Sequence, residues 1–151
     1  MRSIFNKTCQ FASLIFLFSL ISMSSLMAQT EGAILGTWYN AEKSAKIEVI
    51  KSGTEFVGKI IWIEPDGRDI NTILDKENLD PNLRKRPIMG LMILHGFKFK
   101  NGIWEGGKIY DPESGKTYSC ELKLKNKTIL EVKGYVGFSW IGRTVEWSKI
   151  M

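Results

Sequence analysis

With 151 residues the chain has room for one domain, and its composition, 44% hydrophobic and 25% charged, is that of an ordinary globular protein. The formal net charge of +5 is mild, and the lysines are spread singly along the chain, which argues against a nucleic-acid partner. One histidine excludes a His-based metal cluster.

At the front, Arg2 and Lys7 precede an apolar run from Phe11 to Met23, and Ser24-Ser25-Leu26-Met27-Ala28 ends on a small residue. This is the pattern of a signal peptide over residues 1–28, cleaved after Ala28. The apolar run falls short of the roughly 20 residues a spanning helix needs, so no stable membrane span is expected after cleavage. Cys9 lies ahead of the run, where a lipid attachment site would not be, and its removal leaves Cys120 alone. One thiol cannot staple its own chain, so stability has to come from burial. An exported protein follows, in the periplasm or secreted, with a net charge of +3 once Arg2 and Lys7 are gone.

The domain, residues 29–151, opens at Leu35-Gly36-Thr37-Trp38-Tyr39, where Gly36 allows a close approach and Trp38 offers a large side chain to bury. Ile47 and Val49 alternate with Lys46, Glu48 and Lys51, the period of a strand with one buried face. After Ser52-Gly53, the residues Phe56, Gly58, Ile60 and Trp62 are expected to share a face. Residues 64–87 break this rhythm with a long charged loop, and loops of that length tend to be functional or disordered. Ile88 to Leu94 reads as a buried strand, and Phe97 and Phe99 alternate with Lys98 and Lys100 before the hairpin signal Asn101-Gly102. Two β-prone runs then flank Asp111-Pro112-Glu113-Ser114-Gly115, in which proline presets one angle, Asp and Ser bond nearby amides, and Gly accepts a positive φ. Tyr118, Cys120, Leu122 and Leu124 form the next inward row, followed by strands around Leu130 to Val136 and around Val145 and Trp147. Eight to ten short strands joined by tight turns describe an all-β antiparallel barrel or sandwich. Closure into a barrel is favoured because an open meander of this length leaves two exposed edges.

Gly36-x-Trp38 resembles the start of lipocalin-like (calycin) barrels. That resemblance implies a cation from late in the barrel lying across the tryptophan, with Arg143 the candidate. A longer series, Asp75-x-x-Asn78, Leu83-Arg84-x-Arg86-Pro87-x-x-Gly90-Leu91, Gly107-x-Ile109-Tyr110-Asp111-Pro112, Ser114-Gly115-Lys116-x-Tyr118 and Gly134-Tyr135, is similar to the exported bacterial family known as domain of unknown function 2147. The resemblance implies a signal peptide, a small calycin-like barrel and no established activity.

Among candidate site residues, Asp66, Asp69, Asp75, Glu77, Asn78 and Asp80 of the loop offer oxygens of the kind calcium takes, but their spacing departs from a calcium-loop pattern and they read as a solvated loop with local turns. Arg84 and Arg86 have two readings, as tethers of the loop and as a fork for a carboxylate or phosphate. His95 lacks a sequence partner for base catalysis, and Cys120 reads as a core thiol. Trp62, Phe97, Phe99, Trp104, Tyr118 and Trp147 either fill the barrel or line a pocket for a small ligand, and periodicity does not separate the two.

The reading that follows is a non-enzymatic envelope barrel that binds a small apolar or amphipathic ligand, with Arg84 or Arg86 at the mouth and the 64–87 loop as a cover. The alternative is an envelope protein-interaction module that uses this loop. No cofactor or metal is expected.

Overall fold

The computed structural model describes residues 29–151, and the expected signal peptide lies outside the described residues. Alternation and turn chemistry produce eight strands: β1 (Gly36–Tyr39), β2 (Ala45–Ser52), β3 (Glu55–Ile63), β4 (Met92–Lys100), β5 (Ile103–Asp111), β6 (Lys116–Leu124), β7 (Ile129–Tyr135) and β8 (Gly142–Lys149). Each pairs antiparallel with the next, and β8 returns to β1 through Trp38↔Lys149 and Tyr39↔Ser148, closing the barrel. Among the described residues every strand thus has a neighbour on both sides, which removes the edges an open sheet would expose.

The turns follow their residues. Asn101 and Gly102 both have positive φ, 51° and 81°, and make a two-residue hairpin between Lys100 and Ile103. In the β5–β6 turn, Asp111 Oδ1 accepts from the Glu113 amide at 3.0 Å and Oδ2 from the Ser114 hydroxyl at 2.6 Å, and Gly115 takes φ 68°.

One expected face is wrong in detail. Lys46 pairs with Trp62 while Ile47 pairs with Ile60, so Ile61 is an extra residue that bulges β3. The slip turns Trp62 to the outer wall. There it meets Tyr39 edge-on at 6.2 Å, and Lys46 Nζ lies 4.8 Å from its ring. Strict alternation from Phe56 cannot anticipate a residue inserted mid-strand.

The core fills the barrel with Trp38, Ile47, Val49, Phe56, Leu94, Phe97, Trp104, Leu122, Leu130 and Trp147, each at most 4% exposed. Burying each such side chain contributes about 1.5–3 kcal/mol. Two glycines make room for this packing. A Cβ on Gly58 would press on Leu94 and Ile47, and one on Gly107 would run into the Phe97 ring.

Candidate functional site

The two ends of the barrel differ. Where β1 begins and β8 ends, a short 3-10 turn (Glu31–Ile34) lies across the opening. Trp38 Nε1 donates to the Ile34 carbonyl at 2.8 Å, Trp104 Nε1 to the Glu31 carbonyl at 3.1 Å, and Lys149 Nζ to the Ala33 carbonyl at 3.2 Å. Lys149 Nζ also lies 5.1 Å from the Trp38 ring centre, so the cation across the tryptophan is Lys149, not Arg143. Arg143 lies six residues before Lys149 on β8 and is exposed at the opposite end. The cation belongs six residues later, at the β8–β1 seam.

Toward that opposite end the inward-facing row loses its cover strand by strand. On β6, Leu124, Leu122 and Cys120 are buried and Tyr118 is half-buried; on β8 the order is Trp147 buried, Val145 half-buried and Arg143 exposed. β2, β3 and β5 repeat the gradient, ending at half-buried Ala45, Ile63 and Ile109. Gly134 lies in the same inward row, since a Cβ there would touch Tyr118 and Ile109, and it pairs directly with Arg143. The open end, or mouth, therefore presents half-buried apolar side chains with the Arg143 guanidinium at its rim. Among the described residues the ion pairs engage other cations, including Arg68, Arg86 and Lys125, and leave Arg143 in solvent.

The second feature is a polar clamp that holds the β3–β4 segment against the wall. Asp75 is fully buried and accepts from the Tyr110 hydroxyl at 2.5 Å, from Asn78 Nδ2 at 2.8 Å and from Arg86 Nε at 2.8 Å. Arg86 also lies over the Tyr110 ring at 5.4 Å, and Arg84 Nε donates to the Asn78 carbonyl at 2.7 Å. Burial alone would raise the Asp75 carboxyl, but the bonds from Tyr110, Asn78 and Arg86 outweigh it and hold its pKa below the usual range. Burial and the Asp75 charge push the Tyr110 phenol up. Gly115 completes the clamp: its φ is positive, and a Cβ would collide with the Glu77 carbonyl. Beside the clamp lies a groove of about 570 Å3, lined by Leu79, Leu83, Leu91, Arg86, His95 and Tyr110 among others.

The candidate ligand residues thus separate. Phe97, Trp104 and Trp147 are packed core, and Phe99 is half-buried against Trp104, 4.9 Å between ring centres. Trp62 is on the outer wall, Arg84 and Arg86 are tethers rather than mouth residues, and Tyr118 alone of the set reaches the mouth. Gly36, Asp111, Pro112 and Gly115 hold turns or close approaches. The other loop carboxylates act locally: Asp66 pairs with Arg68, while Asp69 and Asp80 cap short 3-10 turns. His95 is exposed, with Nε2 3.0 Å from the Met92 carbonyl. Burial pushes the Cys120 thiol up to about 12, so it stays protonated. Sequence reasoning missed Tyr110 as a clamp residue. The available signal was a tyrosine on a strand face otherwise occupied by Lys108.

An eight-stranded antiparallel meander, closed on itself, plugged at one end and open at the other, is a lipocalin-like barrel. Residues 36–149 match the family described as an uncharacterized protein conserved in bacteria (DUF2147), and the chain belongs to that family. A similar solved structure is protein HP1028 from the human pathogen Helicobacter pylori, described as belonging to the lipocalin family. It is 26% identical with a TM-score of 0.69, covering 78% of this chain and 82% of that one. No curated protein matches the chain.

Proposed function

We propose that the protein is an exported, non-enzymatic barrel that holds a small amphipathic molecule at its open end. The apolar part rests on Ile63, Ile109, Tyr118 and Val145, and an anionic head meets Arg143. The observation that carries this reading is the burial gradient: inward side chains are sealed at one end and half-exposed at the other, beside a guanidinium without a carboxylate partner. An aromatic and aliphatic lining with one placed charge is the usual composition of a small-ligand site. The likeness to a protein described as a lipocalin supports the same reading. The Asp75–Tyr110 pair supports a structural rather than a catalytic role. Its carboxyl is shifted down and its phenol up, so neither group titrates near neutral pH.

Native mass spectrometry of protein recovered from its own cell envelope tests this. A retained small molecule is expected, diminished in Arg143→Ala and Tyr118→Ala and kept in Arg84→Ala. A bare mass for the unaltered protein under gentle activation would sink the proposal, and equal retention in all variants would move the site elsewhere. Leu79, 70% exposed beside the clamp groove, favours a second reading in which the 64–87 segment meets an envelope protein.

A further inference from the structure

The β7–β8 connection, Val136-Gly137-Phe138-Ser139-Trp140-Ile141, carries a surface the fold does not use. Val136, Phe138, Trp140 and Ile141 are 76%, 62%, 75% and 68% exposed. The Phe138 and Trp140 rings lie parallel, 4.7 Å apart, held side by side by a 3-10 turn (Ser139–Ile141) in which the Ile141 amide donates to the Phe138 carbonyl at 3.1 Å. The rings therefore stack on each other and not on the barrel. No charged residue occurs from Val136 through Gly142, and Arg143 follows at once.

The position of this tip matters as much as its composition. Up-and-down topology puts the β7–β8 turn at the open end, together with the β1–β2 turn, the β3–β4 segment and the β5–β6 turn. Leu79, equally exposed at 70%, is held at the same end because Glu77 and Asn78 pack on Gly115. Strongly exposed apolar side chains away from the chain terminus thus gather on one pole of the described molecule.

The tip is a projecting turn, not a groove, so its complement is a soft apolar phase and not a shaped pocket. Tryptophan and phenylalanine are suited to the level of lipid headgroups, where an apolar body and a polar edge are both accommodated. Arg143 at the base of the tip is placed to meet lipid phosphates. Glu42 and Glu113 are exposed near Lys43 and Lys116 in the neighbouring turns, so the apolar tip rather than net charge carries the attraction.

We propose that the β7–β8 tip inserts into the headgroup region of a lipid bilayer and turns the open end of the barrel toward the membrane. This stands on the four exposed tip residues; Arg143 is the one residue shared with the ligand reading, and every variant below leaves it in place. The test is flotation with vesicles of phosphatidylethanolamine and phosphatidylglycerol at 3:1, using exported protein whose N-terminus is fixed by mass spectrometry and shared by all variants. The unaltered protein should float with the vesicles, and Phe138→Ser/Trp140→Ser should lower the bound fraction at least tenfold with an unchanged circular dichroism spectrum. Trp140→Phe should keep most of the binding and remove most of the blue shift in tryptophan emission seen on adding vesicles. Equal flotation of the double variant, or no flotation of the unaltered protein, would overturn the proposal. So would a dimer of the unaltered protein that the double variant converts to monomer, because the tip would then be a contact between copies.

Discussion

The two ends of the barrel are built from the same strands with the same alternation, yet one is sealed and the other is not. At the sealed end the inward side chains include indoles, whose N–H donors would be costly to bury alone. Three backbone carbonyls of one short N-terminal turn accept from Trp38, Trp104 and Lys149 and close the barrel in the same stroke. At the open end the last inward positions are Ile63, Ile109, Tyr118, Val145 and Arg143, which stay half-buried or exposed although Ile88, Met89 and Leu91 of the β3–β4 segment pack against the core. The contrast separates two tasks along one wall. The plugged half is sealed by the N-terminal turn, while at the open half the clamp fastens the β3–β4 segment and the inward row stays half-exposed.

The sharpest way to break that division is at the plug. Trp104 is fully buried, packs on Phe56 and Phe99, and bonds to the Glu31 carbonyl. Trp104→Ala should cost about 3–5 kcal/mol. Denaturant unfolding should show this as a lower midpoint. A loss below about 1 kcal/mol would mean that the plugged half does not carry the stability.

The clamp comes next. Asp75→Asn leaves Arg86 without its carboxylate, and breaking a buried pair costs about 3–5 kcal/mol. Arg86 is one-third exposed and can turn to water, so a loss of about 2 kcal/mol is expected by the same unfolding measurement. The pH dependence has a definite sign. The folded pKa of Asp75 is depressed, so its contribution is present above the unfolded value of about 3.9 and is lost as pH falls through the folded value. Tyr110 is raised, so its contribution is present below about 10 and is lost as pH rises through its folded value. The stability gap between the unaltered protein and Asp75→Asn should therefore be widest near neutral pH and shrink in acid. A gap that is constant from neutral pH down to acid would remove Asp75 from the clamp.

Much of the wall was legible in the residues themselves. Ile47 and Val49, Tyr118 to Leu124, and the Asn101-Gly102 and Asp111 to Gly115 turns fix strand phase and connection locally, and the barrel follows from them. What resisted reading depends on register or on distant partners. One extra residue, Ile61, turns Trp62 from the inside to the outside. The cation over Trp38 is decided by how β8 meets β1, which no local pattern encodes, so Arg143 took the place of Lys149. The motif residues Asp75, Asn78, Arg86, Tyr110 and Gly115 are spread over 41 positions and meet only because the long segment folds back along the wall. Their types signal polarity. Their convergence is a property of the closed fold.

The smallest expected effect on stability belongs to the open end, and it is the one that most sharpens the contrast. Arg143 is exposed at the rim and sits opposite Gly134 in the β7–β8 ladder, a backbone placement that alanine can keep. Arg143→Ala should therefore shift the unfolding free energy by no more than about 0.5 kcal/mol, the range of surface substitutions away from packed features. Together with diminished ligand retention, that result would separate the rim residue that binds from the plug and clamp that hold the fold. A loss of 2 kcal/mol or more would instead make Arg143 part of the fold, and the open end would then be a second structural closure rather than a mouth.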